Sequence, residues 1–242
     1  MEKVIWLDSL PNNLITGVIF GNEVLDAMPC RRFRIQDEDI YEIGVVYTNQ
    51  RLIEQDKLAD EVIKDAIQSI EKELKRKLEN RYVSEIRPNY KNWFSAISAS
   101  LVSGAIIFID YGCSRGEYYS ADRSTGTLVC HYQNTAHYDP LFLPGLQDLS
   151  AWVDFSLVAD VGLEHDFKVE TYTSHRDFLL SEGILELVEE ISDQNQRFEI
   201  NQAVKQLLLP GQMGDTFKFM LLSKDCMIEE SFMDARDFRY LL

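Results

Sequence analysis

Two short, continuous apolar runs that end in acidic residues constrain the fold of this chain more than any other feature. The first covers residues 17–21 and is followed by Asn22 and Glu23; the second covers residues 105–109 and is followed by Asp110. Each run is too short for a helix, so both are predicted to be buried β-strands. Buried strands of this kind occur in parallel sheets that helices cover on both faces, so the pattern predicts an α/β fold.

The segments around these strands carry the periodicities of helices and of a hairpin. Apolar residues at helical spacing over residues 58–80 predict an amphipathic helix that covers the sheet or hairpin. Residues 88–104 predict a second helix, which ends at Gly104. Alternation over residues 33–47 predicts an antiparallel hairpin with its turn near 36–39. Downstream, the patterns predict a long loop region over residues 113–150 and a helix over residues 148–162 that is closed by Gly162. They then predict a strand over residues 167–174, helices over residues 175–191 and 199–210, and a final strand over residues 216–225.

The composition is that of a globular protein with a strongly acidic surface. The 242 residues are 45% hydrophobic and carry a net charge of −16. This charge repels phosphates and argues against non-specific nucleic-acid binding; it suits a cationic ligand or a basic protein patch, although most of the carboxylates serve solubility. Four scattered cysteines without a CxxC pair indicate a reducing, cytoplasmic location. No apolar run approaches the roughly 20 residues of a transmembrane helix, so no membrane association is predicted.

Polar residues at the ends of the two predicted strands form the candidate site. In open α/β sheets, ligands bind outside the carboxyl ends of the strands. If the two strands are parallel neighbours, Asn22, Glu23 and Asp26 share one cleft with Asp110 and Tyr111. The alternative for Asp26 is structural, because an acid after a strand is often the N-cap of the next helix. Glu23 directly follows Asn22 at the strand end and is harder to explain in that way.

A second cluster of reactive residues carries less weight. Cys130, His131 and His137 lie within eight residues, which raises the alternative of a metal site. Their spacing matches no zinc pattern and no second cluster completes four ligands, so no metal is predicted and a metal-dependent hydrolase is a poor alternative. His165 and His175 flank a predicted strand and are predicted to lie on the surface.

Six segments of the chain resemble a known family when taken in order: GNEVLDAMPCRRF, SEIRP, IDYG, YYSADRSTGTL, HYDPLFLPGLQDLSAWVDFS and MGDTFKFMLLS. They are similar to the S-adenosylmethionine-dependent methyltransferases of the MidA type, whose relatives include a mitochondrial complex I assembly factor that methylates an arginine of a respiratory subunit. The resemblance covers nearly all of the chain. It implies a Rossmann-like class I methyltransferase sheet, with residues 17–21 as its fourth strand, 105–109 as its fifth and 216–222 as its antiparallel last strand. Residues 31–80 are then an inserted hairpin and helix beside the substrate cleft.

One departure from the family's pattern concerns the cofactor site. The family's glycine-rich loop and its acidic ribose-binding residue lie upstream of the region that resembles this chain, and no GxGxG occurs in the 242 residues. We therefore expect residues 1–242 to be the C-terminal portion of a methyltransferase domain that lacks its first strands, with an incomplete S-adenosylmethionine site. An unpaired sheet edge of this kind favours a homodimer. A smaller departure is Asn134, near which the family places a histidine.

The arginine substrate that the resemblance implies suggests roles for the acidic residues. Its guanidinium is cationic, with a pKa above about 12, and a carboxylate can hold it through two hydrogen bonds. Glu23 is the first candidate for this carboxylate, and Asp26 is the second or a brace for the loop. Asn22 and Asp110 are expected to contact the cofactor. Tyr111, Asp148 and Asp154 are expected to contact the substrate, and Asp148 is also a candidate helix cap.

Two functions from different classes remain open on the sequence. The first is an S-adenosylmethionine-dependent methyltransferase that acts on an arginine of a protein, such as a respiratory-complex subunit, and the acidic residues at the strand ends favour it. The second is a non-catalytic interaction or assembly factor built on a methyltransferase-like fold, which the missing glycine loop favours. Binding of S-adenosylmethionine discriminates between the two.

Overall fold

Residues 4–11, 14–229 and 235–242 are described by a computed structural model, in which the chain divides into two units. The first, here the sheet unit, comprises Met1–Glu23, Tyr90–Tyr111 and Ser156–Leu242. The second, here the inserted unit, comprises Val24–Asn89 and Gly112–Phe155. The inserted unit contains the whole segment 31–80 that the sequence predicts as an insertion, together with a second stretch of chain.

The strands and α-helices of the described residues are numbered along the chain. The strands are β1 (Ile15–Asn22), β2 (Arg31–Gln36), β3 (Asp39–Thr48), β4 (Arg51–Leu58), β5 (Val83–Ile86), β6 (Leu101–Cys113), β7 (Val129–Tyr132), β8 (Thr135–His137), β9 (Asp148–Ser150), β10 (Val153–Asp154), β11 (Lys168–Ser174) and β12 (Phe217–Lys224). The helices are α1 (Glu61–Leu74), α2 (Tyr90–Ser100), α3 (Arg115–Tyr118), α4 (Phe155–Glu164), α5 (His175–Ser181), α6 (Ile184–Glu189), α7 (Gln194–Leu208) and α8 (Met213–Thr216). Within these residues, no helix combines the length and the hydropathy that a membrane span requires.

The sheet unit is built on a mixed sheet with the strand order β1-β6-β12-β11. β1 runs parallel to β6, in a register that places Asn22 opposite Ile109, and β12 runs antiparallel to both β6 and β11. The two apolar runs of the sequence are therefore parallel neighbours, and the final strand is antiparallel, as predicted. The sheet is that of an α/β fold, which confirms the predicted class.

Helices cover both faces of β6, which explains why its sequence is apolar without alternation. On one face, Phe94 of α2 packs against Phe108 with ring centroids 6.0 Å apart. On the other face, Phe178 of α5 stacks on Phe219 of β12 at 3.7 Å. Successive strand residues point to opposite faces, so a strand that is buried on both sides must be apolar at nearly every position.

Gly104 does not end a helix, as the sequence predicts, but lies inside β6. It has a φ of +147° and pairs with Gly17 of β1. A Cβ atom at this position would lie 1.8 Å from the carbonyl oxygen of Gly17. A glycine is therefore required for β1 to approach β6, and α2 ends earlier, at Ser100.

The inserted unit contains a four-stranded antiparallel sheet in the order β4-β3-β2-β5. The predicted hairpin is confirmed: β2 and β3 are joined at Asp37 and Glu38, whose positive φ angles of 50° and 74° are those of a tight hairpin turn. The buried isoleucines of α1 pack with Phe33 and Ile35 of this sheet in one core cluster. The amphipathic helix thus covers the hairpin, as expected.

Several predicted boundaries are wrong because strands replace helix or loop. The helix predicted over 58–80 spans only Glu61–Leu74, since Leu58 ends β4 and Lys75 adopts a left-handed conformation with a φ of 54°. The predicted loop region 113–150 contains α3 and the small sheet β8-β7-β9. The helix predicted from Asp148 begins at Phe155 instead, because Asp148 starts β9 and pairs with His131 of β7.

Candidate functional site

The carboxyl end of the β1–β6 pair brings together four of the residues selected from the sequence: Asn22, Glu23, Asp110 and Tyr111, here the sheet-edge group. Asn22 is the last residue of β1, and the backbone amide of Glu23 donates a hydrogen bond of 2.9 Å to the carbonyl of Ile109. Because the two strands are parallel and in register, Glu23 follows Asn22 on one strand where Asp110 follows Ile109 on the next. The parallel register on which the sequence-based site depends is therefore present, and a common cleft for the two carboxylates stays a prediction.

Glu23 differs from Asp110 in exposure and in backbone conformation. The side chain of Glu23 is exposed, whereas Asp110 is buried and its Oδ1 accepts a hydrogen bond of 2.9 Å from the backbone amide of Tyr111. Glu23 also has a positive φ of 50°. A non-glycine residue in this region costs on the order of 1–2 kcal/mol, and such residues concentrate at functional sites. An exposed carboxylate held by a strained backbone at a strand end is suited to contact a ligand.

Aromatic rings border the same edge of the sheet unit. Tyr111 of β6 lies against Phe217 of β12, with ring centroids 3.9 Å apart. The imidazole of His175, which follows β11, lies 6.0 Å from the same Phe217 ring. His175 follows β11, which runs in the same direction as β6, so it belongs to the same carboxyl edge. The sequence analysis placed His175 on the surface; that prediction is wrong, since the residue is buried and burial lowers the pKa of its imidazole.

Asp26 belongs to the inserted unit and is buried in a turn. The interpretation of Asp26 as a helix N-cap is wrong, because the turn is followed by β2 and no helix begins there. The guanidinium of Arg87 donates to the carbonyl oxygens of Asp26 (3.3 Å), Ala151 and Trp152 (2.6 Å), and the amide of Ala151 donates to the carbonyl of Asp26 (3.2 Å). We call this arrangement the carbonyl clamp; it fixes the backbone on which the Asp26 carboxylate is carried.

The two other acidic residues selected from the sequence lie in different environments of the inserted unit. Asp154 is buried at the end of β10 and accepts a hydrogen bond of 3.1 Å from Nε of Arg115, which also pairs with Glu73. Asp148 is exposed at the start of β9. Asp154 therefore forms a buried ion pair, which is costly to break from one side, while the carboxylate of Asp148 is accessible.

Sequence reasoning missed the roles of Glu85 and Arg87, which lie in the segment SEIRP. The buried carboxylate of Glu85 accepts hydrogen bonds from the amide and hydroxyl of Thr127 (3.0 and 3.1 Å) and from the hydroxyl of Tyr118 (3.4 Å). Burial also raises the pKa of Tyr118 well above its usual value. The signal that could have identified them is the occurrence of two charged residues beside Ile86 in a segment with the character of a strand.

A cleft of about 400 Å³ opens in the inserted unit beside the carbonyl clamp. Its lining combines the clamped turn, two arginine–carboxylate pairs and apolar side chains from two loops. Cys30 contributes to the lining, and burial raises the pKa of its thiol, so it is not an activated nucleophile.

Fold and site together define an α/β protein with a mixed sheet and polar groups at the carboxyl edge of its parallel strands. A family model described as "Putative S-adenosyl-L-methionine-dependent methyltransferase" matches residues 1–173. The chain belongs to this family, whose cofactor is S-adenosylmethionine. The predicted methyltransferase family is thereby confirmed.

Two crystal structures of Burkholderia thailandensis proteins are similar to this chain. One contains bound S-adenosyl-homocysteine; it is 34% identical, has a TM-score of 0.89, and is matched over 99% of this chain and 61% of its own length. The other, an uncharacterised protein of the same superfamily, is 34% identical with a TM-score of 0.90, over 99% of this chain and 63% of its own. The chain thus spans about three fifths of the length of these structures. No curated protein matches it.

Proposed function

We propose that this chain forms part of an S-adenosylmethionine-dependent methyltransferase of the MidA type that methylates an arginine of a protein. The family assignment and the S-adenosyl-homocysteine in the Burkholderia thailandensis structure support methyl transfer, because that ligand is what S-adenosylmethionine becomes when its methyl group leaves. The observation that carries the arginine proposal is the exposed carboxylate of Glu23, held with a positive φ beside Asp110. A respiratory-complex subunit is the proposed kind of acceptor.

The residues at the carboxyl edge of the sheet have the chemistry to bind some of the groups of S-adenosylmethionine. Its ammonium and hydroxyl groups need carboxylate and amide partners, and Asn22 and Asp110 supply that chemistry at the carboxyl edge of the parallel strands. No glycine-rich loop of the form GxGxG occurs in the 242 residues to approach the cofactor by its backbone. When bound, S-adenosylmethionine supplies a methyl group on a sulfonium, which is a good leaving group. Asn22 and Asp110 would hold it, while the backbone cradle has to come from other polypeptide.

The protein's own residues orient the acceptor and manage its charge. The carboxylate of Glu23 binds two N–H groups of the guanidinium, which fixes its plane and holds positive charge away from the attacking nitrogen. After transfer, the nitrogen must lose a proton, and a nearby carboxylate favours that loss. Asp26 is the second carboxylate for this purpose, and the carbonyl clamp prevents its turn from moving. Tyr111, Asp148 and Asp154 are proposed to contact the substrate segment, with Asp154 acting from within its ion pair with Arg115.

The outer strand β1 supports the proposal that more polypeptide completes the domain, because one of its edges and one of its faces are uncovered among the described residues. Among the described residues, β1 pairs with β6 alone, and its Val18 and Phe20 are 66% and 62% exposed. Parallel strands are normally buried on both faces. We propose that polypeptide equivalent to the unmatched remainder of the Burkholderia thailandensis structures covers β1 in the working protein. A homodimer through the same edge is the alternative occupant.

The missing glycine loop favours a second function, a non-catalytic interaction or assembly factor built on the same fold. Calorimetry with S-adenosyl-homocysteine separates the two. We expect binding by a chimera that adds the unmatched residues of the Burkholderia thailandensis relative, and little or none by this chain alone. A cooperatively folded chimera that binds no ligand would support the assembly factor. If the chimera binds and transfers a radioactive methyl group, amino-acid analysis identifies the acceptor; label on a residue other than arginine would refute the arginine proposal.

A further inference from the structure

Two sets of hydrogen bonds hold the backbone of Trp152, and both begin in the segment SEIRP. The first arm is Arg87 of the carbonyl clamp, which donates to the carbonyl oxygen of Trp152 (2.6 Å). The second arm starts at Glu85 and reaches the amide of Trp152 through the side chain of Thr127. All of these residues belong to the inserted unit. The reaction proposed above uses the first arm, since the clamp fixes the turn of Asp26, and leaves the second arm without a role.

We propose that Thr127 is a positioning residue of the methyltransferase, because it couples a buried carboxylate to the backbone that places Asp26 and Asp154. This inference rests on the proposed function and adds to it a residue that acts without touching substrate or cofactor. Asp154 lies two residues after Trp152. On the other side of Trp152, Ala151 donates its amide to the carbonyl of Asp26 (3.2 Å). A shift of the Trp152 backbone would therefore displace both candidate carboxylates.

The hydroxyl of Thr127 has one donor and two acceptor positions, and its neighbours use all of them. It donates to Oε2 of Glu85 (3.1 Å) and accepts from the amide of Trp152 (3.1 Å). The hydroxyl of Tyr118 is closer to Thr127 (3.1 Å) than to Glu85 (3.4 Å), and burial raises the pKa of Tyr118 well above its usual value, so it stays protonated. An ionised carboxylate can only accept, so the proton of Thr127 goes to Glu85 and its lone pairs are left for the other two groups. The carboxylate therefore sets the directions of the hydrogen bonds at this hydroxyl.

The second arm is buried along its length and is held at a second point. Glu85, Thr127 and Tyr118 are all buried, and the backbone amide of Thr127 also donates to Oε2 of Glu85 (3.0 Å). Gly126 has a φ of +84° and lies so close to the carboxylate that a Cβ atom there would collide with it. The glycine thus allows the loop to bring both donors of Thr127 onto one oxygen. Because buried hydrogen bonds to a charged group are stronger than exposed ones, loss of the Thr127 hydroxyl should release the amide of Trp152.

Hydrogen exchange on the folded chain tests the coupling with a matched set of variants. Thr127→Val removes the hydroxyl but keeps the branched shape, and Thr127→Ser keeps the hydroxyl. Tyr118→Phe removes another buried hydroxyl of the same cluster and leaves the bond to Trp152 in place. The measured amides are those of Trp152 and Ala151, each relative to the amide of Ile35, which is hydrogen-bonded elsewhere in the same unit. We expect Thr127→Val to accelerate the exchange of both by about 10-fold or more, and we expect protection close to that of the parent in Thr127→Ser and Tyr118→Phe.

The effect on the reaction is measured with the chimera that adds the unmatched residues of the Burkholderia thailandensis relative. Thr127→Val should lower its kcat on the order of 10-fold or more, because the carboxylates lose their alignment with the acceptor. The KM for S-adenosylmethionine should stay unchanged, since Asn22 and Asp110 lie in the sheet unit. Thr127→Ser should restore kcat. A hydroxyl with a merely structural role would instead give Thr127→Val and Tyr118→Phe the same kcat per folded molecule.

Specific outcomes would overturn the inference. It fails if Thr127→Val leaves the amides of Trp152 and Ala151 protected, if Tyr118→Phe exposes them equally, or if exchange changes as expected while kcat per folded molecule does not. Circular dichroism melting curves check that the variants fold; if Thr127→Val does not, Thr127→Ala takes its place with the same expectation, because it puts no methyl group beside the carboxylate. A parent chimera that transfers no methyl group would refute the proposed function instead, and the exchange experiment would still decide whether Thr127 holds the backbone of Trp152.

Discussion

Replacing Gly104 by alanine tests the strand contact that positions Glu23. The new Cβ would lie 1.8 Å from the carbonyl oxygen of Gly17, well below the closest separation that such atoms adopt. Strands β1 and β6 would have to separate by about 1 Å or more from a normal spacing of about 4.8 Å, which stretches the neighbouring hydrogen bonds past their limit of about 3.2 Å. The positive φ of +147° adds backbone strain for any residue with a side chain.

The expected cost is the sum of a few contributions. Two or three weakened backbone hydrogen bonds at about 1 kcal/mol each, together with overpacking of about 1–3 kcal/mol, predict a loss of roughly 3–6 kcal/mol. The matched control is Gly44→Ala in β3, where the nearest atom to the added Cβ is the carbonyl oxygen of Gln55 at an ordinary 3.5 Å. That variant should be neutral or more stable by up to about 1 kcal/mol, because alanine loses less conformational freedom in a strand.

Urea unfolding followed by circular dichroism measures the free energy, and hydrogen exchange assigns the loss to the sheet unit. The informative amide is that of Glu23, which donates to Ile109 across the strand pair. Its exchange should accelerate strongly in Gly104→Ala and remain unchanged in Gly44→Ala. A Gly104→Ala protein that loses less than about 1 kcal/mol and keeps the Glu23 amide protected would show that the two strands are not in the close contact described.

Three further predictions concern individual side chains. In a protein that includes the rest of the methyltransferase domain, Glu23→Gln should lower methyl transfer at least ~100-fold and leave the melting temperature unchanged, because the side chain is exposed. The control is Glu38→Gln, since Glu38 is another glutamate with a positive φ (74°). Retained activity of Glu23→Gln would remove Glu23 from the mechanism. Arg87→Met should destabilise the inserted unit by about 3–5 kcal/mol, since the carbonyls of Ala151 and Trp152 lose the guanidinium that donates to them and the carbonyl of Asp26 keeps only the amide of Ala151; a loss below about 1 kcal/mol in urea would contradict the carbonyl clamp. Burial lowers the pKa of His175 below 6.5, so the unfolded chain binds more protons and stability should fall as the pH drops below 6.5. His175→Gln should remove that part of the pH dependence when unfolding in urea is followed at a series of pH values, and an unchanged dependence would contradict this role of the buried imidazole.

The parallel strand pair could be predicted from the sequence because its signal is local. A strand buried on both faces needs an uninterrupted apolar run, and residues 105–109 of β6 have one. The run at residues 17–21 locates β1 correctly, although the prediction that this strand is buried fails on one face, where Val18 and Phe20 are exposed. The hairpin at Asp37 and Glu38 was predictable for the same reason, since alternation and turn residues lie within a short window. The acidic residues at the strand ends then follow from the connectivity alone.

The elements that were missed depend on partners far away in the chain. β9 was predicted as part of a helix, and it becomes a strand only by pairing Leu149 with Cys130 of β7. Gly104 resembles a helix terminator until β1 is placed against it. Arg87 binds the carbonyls of Ala151 and Trp152, which are more than 60 residues further along the chain. Sequence periodicity contains no information about such contacts, so local patterns assign these residues incorrectly.

Glu23 and Asp26 are three residues apart, yet their backbones are held by separate sets of contacts. Glu23 is fixed by its amide bond to Ile109 and by the approach of β1 to β6 at Gly104, both within the sheet unit. Asp26 is fixed by Arg87 within the inserted unit. The Gly104 and Arg87 substitutions should therefore act selectively: the first should expose the Glu23 amide to exchange and spare the Ala151 amide, and the second should do the reverse. Loss of both protections in either variant would mean that the two carboxylates are positioned by one cooperative unit, and that neither can be assigned a separate role from single substitutions.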